Sequence, residues 1–195
     1  MLTRLAPLTL ASLALPMALA GRPAPLASAN TYAVDNAHAA AVFHISHLGL
    51  SQVYGRFKDL SGNFTADPKD ASSAKFELSA KVDSVDTGNT QRDNHLKSPD
   101  FFDAKQFPTM TFTSASAKSI DGGFEVPGTL TIHGVSKPVT LTLKGGRTAE
   151  FPQGVQRTGY VAEFNVKRSD FGMTKMAEAI GDEVHVEISF EGTKK

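Results

Sequence analysis

Residues 184–191 read VHVEISFE, with an apolar side chain at every second position. Because side chains of an extended strand point alternately to opposite faces, this stretch predicts a strand with one dry face and one wet face. The same alternation recurs at residues 75–82, 109–114, 139–144 and 160–167. The sequence therefore predicts an all-β fold.

A change of phase within one predicted strand indicates a bend. In the segment 53–65 the apolar side chains occupy odd positions up to Phe57 and even positions from Leu60 onward. A slip near Lys58 and Asp59 predicts a β-bulge, which bends a strand as a closing sheet requires. We count about eight strands. The pattern alone does not decide between a sandwich and a barrel.

One segment, residues 89–104, has no alternating pattern. Thr90 and Asp93 fit a helical capping box, and Ser98 followed by Pro99 fits an N-cap with proline at the first helical position. We predict two short helical turns joined at Ser98 and inserted between strands. Short helices in a β-fold of this kind are expected to cover one end.

The first 29 residues are typical of an export signal. Arg4 precedes an apolar run, and small residues end it at Ala18–Ala20 and again at Ala27–Ala29. We expect a signal peptide over 1–29, cleaved after Ala29 or alternatively after Ala20, and a mature domain over 30–195. The run is shorter than the roughly 20 apolar residues of a membrane span, and no other stretch is long and apolar enough. We therefore expect an exported protein without a stable membrane span.

Composition excludes several kinds of function. The chain has 20 basic and 20 acidic residues, whereas nucleic-acid binding needs a basic surface, so we expect no nucleic-acid partner. The absence of cysteine excludes disulfides, thiolate metal sites and thiol catalysis. We find no H-E-x-x-H metal motif, no G-x-S-x-G elbow and no Walker loop, and we predict no metal site. The 13 Phe against 3 Tyr and no Trp indicate dry aromatic surface.

A series of short motifs keeps a fixed order along the chain. They are VFHISHLGLS (42–51), RDNHLKSPDFF (92–102), FPTMTF (107–112), GTLTIHGV (128–135), RSDFGM (168–173) and GDEV (181–184). From about Tyr32 to the C-terminus they resemble the YceI family of bacterial periplasmic polyisoprenoid-binding proteins. The resemblance implies an eight-stranded, antiparallel, lipocalin-like barrel whose elongated apolar tunnel holds an isoprenoid or related long-chain lipid. It also implies a periplasmic location and no catalysis.

The inward-facing apolar side chains of such a barrel are candidates for the tunnel wall. Water rejects a hydrocarbon chain at about 0.8 kcal/mol per CH₂, so a carrier must offer a comparable length of dry wall. The candidates are Phe43, Ile45, Phe57, Phe64, Phe76, Leu78, Met110, Phe112, Leu130 and Ile132. The same residues would equally fill a ligand-free core, because every half-buried strand has a dry face.

The polar residues of the helical insert are candidates for a head-group site. Arg92, Asn94 and His95 lie next to Phe101 and Phe102, which are placed to cover the first isoprene units. An arginine can hold a phosphate or donate to a quinone-type oxygen. The alternative is that Arg92 is a solvated surface charge.

We therefore expect periplasmic binding, storage or transport of a polyisoprenoid or related long-chain lipid, such as an isoprenoid quinone or its precursor, without a cofactor. Two other functions stay open. One is an enzyme acting on a bound isoprenoid, with Asp93 and His95 as acid and base. The other is a ligand-free barrel that binds another protein. A homodimer of two barrels also stays open.

Overall fold

The structure, a computed structural model, describes residues 30–67 and 70–195. The predicted signal peptide and its cleavage sites lie outside the described residues. Within them the strands are β1 (Asn30–His47), β2 (Ser51–Phe57), β3 (Leu60–Ala66), β4 (Lys75–Lys81), β5 (Val85–Asp86), β6 (Thr109–Ser114), β7 (Lys118–Ile120), β8 (Gly123–Ile132), β9 (Val135–Glu150), β10 (Gln156–Lys167) and β11 (Ile180–Lys194). One α-helix, α1 (Thr90–Leu96), and 3₁₀ turns at Ala71–Ser73, Val82–Ser84 and Arg168–Phe171 join them. None of the helices in these ranges is long and apolar enough to cross a bilayer.

Eight of the strands close into an antiparallel barrel. Going round the barrel, the order is β1, β11, β10, β9, β8, β6, β4 and β3, and β3 pairs again with β1. The seam between β1 and β11 places Phe43 opposite Val186 and Ile45 opposite Val184. The prediction of an all-β, eight-stranded barrel is confirmed, and the sandwich alternative is excluded by this closure.

The second and third strands form one bent stretch alongside β1. β2 pairs with the second half of β1, and β3 pairs with its first residues. The break between them falls at Lys58 and Asp59, where the change of apolar phase predicted a bend. A register shift in β1 between Val34 and Ala39 lies beside this break. Because of the bend, β2 leaves β4, and its other edge bonds only to the two-residue β5 in the described chain.

The helical insert covers the end of the barrel at which β2 and β4 separate. The ring of Phe102 packs edge-on against Phe57 of β2, with centroids 5.6 Å apart. One helix forms here, where the sequence predicted two helical turns. The Asn89 side chain caps α1 by accepting a hydrogen bond from the Arg92 backbone N–H. The Ser98 hydroxyl donates to the His95 carbonyl at 2.7 Å, so Ser98 closes α1 instead of starting a second helix.

The opposite end of the barrel is filled by aromatic rings. Phe64 stacks on Tyr32 and Phe76 at centroid distances of 5.2 and 5.8 Å, and Tyr160 and Phe190 meet Phe64 edge-on. All five rings are buried, and burial raises the pKa of the Tyr160 hydroxyl to about 12. We call these five residues the aromatic plug. The barrel is therefore packed solid at one end and covered by a helix at the other.

Candidate functional site

A cavity of about 640 Å³ occupies the interior of the barrel between the aromatic plug and α1. Its size lies within the range of pockets that hold small organic ligands. Ten of the twelve apolar residues nominated from the sequence line it. They are Phe43, Ile45, Phe57, Leu78, Phe101, Phe102, Met110, Phe112, Leu130 and Ile132.

The other two nominated residues, Phe64 and Phe76, do not line the cavity. Both are fully buried in the aromatic plug, where their rings stack on each other. Alternation assigned them correctly to the inner face of their strands, but it carries no information on depth along the barrel axis. Their placement in the tunnel wall was wrong, because at that depth rings from neighbouring strands meet across the axis.

The sequence also left out part of the wall. The inner faces of β10 and β11 contribute Phe164, Val166, Val184, Val186 and Ile188. The alternation of apolar side chains in these strands is visible in the sequence. Combined with the expectation of a barrel, this alternation would have predicted that they line the wall. Met173 and Met176, which lie in the connection between β10 and β11, also line the cavity. No periodic signal marks them, because the connection is irregular.

Two strand glycines leave room for phenylalanine rings inside the barrel. A Cβ on Gly128 of β8 would stand 2.5 Å from the Phe112 ring, and a Cβ on Gly192 of β11 would stand 2.5 Å from the Phe64 ring. Both distances are too short for real atoms, so the rings occupy the space that a side chain would take. Because the Phe112 ring occupies the space beside Gly128, it forms part of the cavity wall and leaves the barrel axis open.

Arg92 lies at the helix-covered mouth of the cavity and is part of its lining. Its guanidinium donates from Nε to the Thr87 hydroxyl at 2.8 Å and from Nη2 to the Thr87 carbonyl at 2.7 Å. A guanidinium has five N–H donors, so these two bonds fix its position and leave further donors for another group. Asn94, also nominated for a head group, is exposed and does not line the cavity. On a helix its side chain points away from those of Arg92 and His95. Nearness in the sequence does not reveal this difference in direction.

His95 lines the mouth beside Arg92 and shares a hydrogen bond with Asp100, with Nε2 and Oδ2 2.9 Å apart. This contact holds the pKa of the Asp100 carboxyl below its usual range. The Asp93 carboxylate instead accepts hydrogen bonds from the Thr87 N–H and hydroxyl at 2.9 and 2.6 Å. Asp93 and His95 therefore have separate structural partners, and neither shares a hydrogen bond with the other.

Arg168 anchors the connection that forms the rest of the mouth. Its guanidinium is buried and donates to the carbonyls of Met173, Lys175, Ile180 and Gly181 at 2.6 to 3.0 Å. The connection lies at one barrel end, and its backbone is gathered around this one side chain.

The histidines do not assemble a metal site. Among residues 30–67 and 70–195, no three His, Asp or Glu side chains come close enough together to hold an ion. His44 and His185, which are neighbours across the β1–β11 seam, pack ring on ring with centroids 4.7 Å apart. Their separation in the chain hides this contact from any short motif.

Comparison with known proteins agrees with this architecture. Residues 32–192 match the YceI-like domain family. The chain belongs to the YceI family. It is 40% identical over 171 residues to "Protein YceI" of Salmonella arizonae, an alignment that covers 87% of this chain and 90% of the relative.

Solved YceI-like structures have the same fold. The Campylobacter jejuni YceI protein is 37% identical, superimposes with a TM-score of 0.68, and matches 77% of this chain and 90% of its own. A Saccharophagus degradans domain, described as a polyisoprenoid-binding domain, superimposes with a TM-score of 0.65 at 19% identity, over 84% of this chain and 98% of its own. The barrel fold is therefore also found in a domain of low sequence identity to this chain.

Proposed function

We propose that this YceI-family protein binds, stores or carries a polyisoprenoid or related long-chain lipid inside its barrel. The observation that carries the proposal is the cavity itself, since most of the residues that line it are Phe, Leu, Ile, Val and Met. Such a wall offers few partners to a polar substrate and matches a hydrocarbon chain over its length. The Saccharophagus domain named for polyisoprenoid binding has the same fold.

The depth of the bore favours a chain over a compact ligand. Along β11 the lining runs from Phe190 at the aromatic plug to Val184 towards the mouth. The seven residues from Val184 to Phe190 span about 20 Å of strand. An extended chain advances about 3.5 Å for every three bonds, so this length takes up roughly 17 bonds, or about four isoprene units. Longer chains continue past Met176 into the mouth.

The mouth supplies the polar contacts. Arg92 is held by Thr87 with donors to spare, and His95 stands beside the ring of Phe101, with centroids 4.9 Å apart. In this arrangement the tail enters the bore, and a phosphate or quinone-type oxygen rests against Arg92 and His95. Phe101 and Phe102 cover the first units of the chain.

The mechanism is partitioning, and no bond of the lipid changes. Because the N-terminal residues have the pattern of a signal peptide, the proposal places this step in the periplasm, after cleavage behind Ala29 or Ala20. The mature domain over 30–195 then serves as a periplasmic store or shuttle that needs no cofactor.

A cavity-filling variant tests the proposal. Val186 lies on β11 between Phe43 and Phe164 of the neighbouring strands, so Val186→Trp places an indole in the middle of the bore. We expect it to fold with unchanged or higher stability and to take up at least about tenfold less of a fluorescent C20 prenol, because the tail loses its dry wall. Val161→Trp, on the outer face of β10, is the matched control and keeps normal uptake.

Three other results would contradict the proposal. A wild-type protein that takes up no prenol points to a barrel whose role is to bind another protein. If the Val186→Trp variant binds prenol as tightly as the Val161→Trp variant does, the lipid lies outside the bore. If the wild type converts the bound lipid chemically and His95→Gln abolishes this conversion, the protein is an enzyme.

A further inference from the structure

We propose that the hairpin between β1 and β2 is a membrane-docking tip that inserts into the surface of a lipid bilayer and opens the barrel mouth onto it. The tip consists of residues 48–50, which join Ser46 and His47 of the cavity lining to β2. The inference rests on the proposed function, because it concerns how the cargo of that cavity enters and leaves.

The tip presents leucines to solvent. Leu50 is 83% exposed and Leu48 is 56% exposed, the former being the most exposed of the large apolar side chains in the described chain. The Leu48 N–H donates to the Ala179 carbonyl at 2.8 Å, which ties the tip to the connection that carries Met176. Met176 is 37% exposed and also lines the cavity, so the apolar surface of the tip continues into the bore.

Leu48 also has an unfavourable backbone conformation. It has φ +53° and Gly49 has φ +67°, and the Leu50 N–H donates to the His47 carbonyl at 3.0 Å. A turn with positive φ at both central positions favours Asn-Gly or Asp-Gly, and a leucine at the first position is strained. An asparagine would fit this turn better and would be better solvated. Folding therefore does not explain the leucine, whereas burial in an external apolar phase does.

A bilayer suits this surface better than a second protein does. Each apolar side chain of the tip offers on the order of 100 Å². Together with Met176 that is roughly 300 Å², well below the roughly 800 Å² per partner of a stable protein interface. The tip also lacks the Trp, Tyr and Arg anchors that dominate such interfaces. Shallow insertion into a fluid surface needs neither area nor shaped pockets.

The cargo gives the tip a purpose. A long hydrocarbon chain escapes into water extremely slowly, because each methylene that leaves the bore is penalised. Delivery at a useful rate requires that the mouth touch an apolar phase, so that the chain passes from bore to bilayer without crossing water. The tip is the part of the mouth that reaches outward with apolar side chains.

Vesicle flotation and lipid transfer test the docking tip. The protein alone is floated with phosphatidylcholine vesicles, and prenol-loaded protein is mixed with rising amounts of the same vesicles. We expect wild-type protein to float in part, and the unloading rate to rise with vesicle concentration. In Leu48→Ser/Leu50→Ser we expect no flotation and an unloading rate lower by about tenfold. Phe151→Ser removes another exposed apolar side chain, 75% exposed, at the opposite end and is expected to match wild type.

Each contrary result has a distinct meaning. Equal flotation of the three proteins, or none by the wild type, overturns the docking tip. So does an unloading rate that is independent of vesicle concentration. Self-association that the double substitution abolishes would assign the tip to a second copy of the chain. Leu50→Ser alone repeats the test with little risk to folding, since that side chain is almost fully exposed. Failure to load prenol counts against the proposed function, while flotation of unloaded protein still decides the docking tip.

Discussion

The ring of Phe43 lies directly against Gly55, its partner on the neighbouring strand. A Cβ on Gly55 would stand 2.3 Å from the Phe43 Cζ and 2.9 Å from a Thr87 methyl group. Position 55 therefore requires glycine, because the Phe43 ring and the Thr87 methyl group approach its backbone too closely for a Cβ atom. It lets a large ring serve as wall on one side of a bore that has to stay open.

Gly55→Ala is therefore expected to push the Phe43 ring into the bore. We predict a loss of about 1–3 kcal/mol in the free energy of unfolding and a reduced capacity for prenol, as overpacking usually produces. Urea denaturation and a binding titration measure the two effects. In the double variant Gly55→Ala/Phe43→Ala the clash is gone, so the two substitutions should couple favourably. Strict additivity would show that the ring does not depend on the glycine.

The sequence predicted the elements of the barrel better than the contents of its bore. Alternation reports which side chains share a face, so it found the strands and, through the phase slip at Lys58, the bend. It does not report height along the axis, which is why Phe64 and Phe76 were placed in the tunnel. Long-range contacts were equally hidden. Arg168 gathers four carbonyls that only the folded connection brings together.

Arg168→Met is expected to loosen that connection. The buried guanidinium is the common donor for four backbone carbonyls, so its loss leaves them unsatisfied and should lower stability by about 3 kcal/mol. Limited proteolysis at Lys175 should accelerate as well. Arg147→Met, at an exposed position on β9, is the control for loss of an arginine. Equal proteolysis of both variants would mean that Arg168 does not hold the connection.

Arg92→Ala is expected to separate head-group binding from tail binding. Removing the guanidinium should lower the affinity for a prenyl phosphate by about tenfold or more, because a charge-assisted hydrogen bond is lost. Binding of a prenyl hydrocarbon of the same length should stay unchanged. Arg92→Lys should recover part of the phosphate affinity, because it keeps the charge. A parallel loss for both ligands would show that Arg92 only supports the helix through Thr87.

The pH dependence of stability should reflect the ionisation of the Asp35 carboxyl group. A 2.6 Å hydrogen bond from Arg157, with a further one from His38, lowers the pKa of the Asp35 carboxyl from 3.8 to about 2. Because the folded pKa lies below the unfolded one, the carboxylate stabilises the fold above pH 3.8, and this stabilisation is lost as the pH falls towards 2. Asp35→Asn should therefore cost about 1–2 kcal/mol at neutral pH.

That cost should shrink as the pH is lowered through the same window, in urea unfolding measured at several pH values. Asp121→Asn, on an exposed turn, is the control and should leave stability unchanged at each pH. A gap between wild type and Asp35→Asn that stays constant down to pH 2 would refute the role given to the Arg157 contact.

Mass spectrometry of what the barrel already contains tests the account most directly. Mature protein is purified from the exported fraction of cells that make it, without detergent, and extracted with organic solvent. We predict close to one long-chain isoprenoid or related lipid per barrel, and its loss from Val186→Trp but not from Val161→Trp. Extracts free of lipid, from protein that also takes up no prenol, would contradict the claim that this cavity exists to hold one.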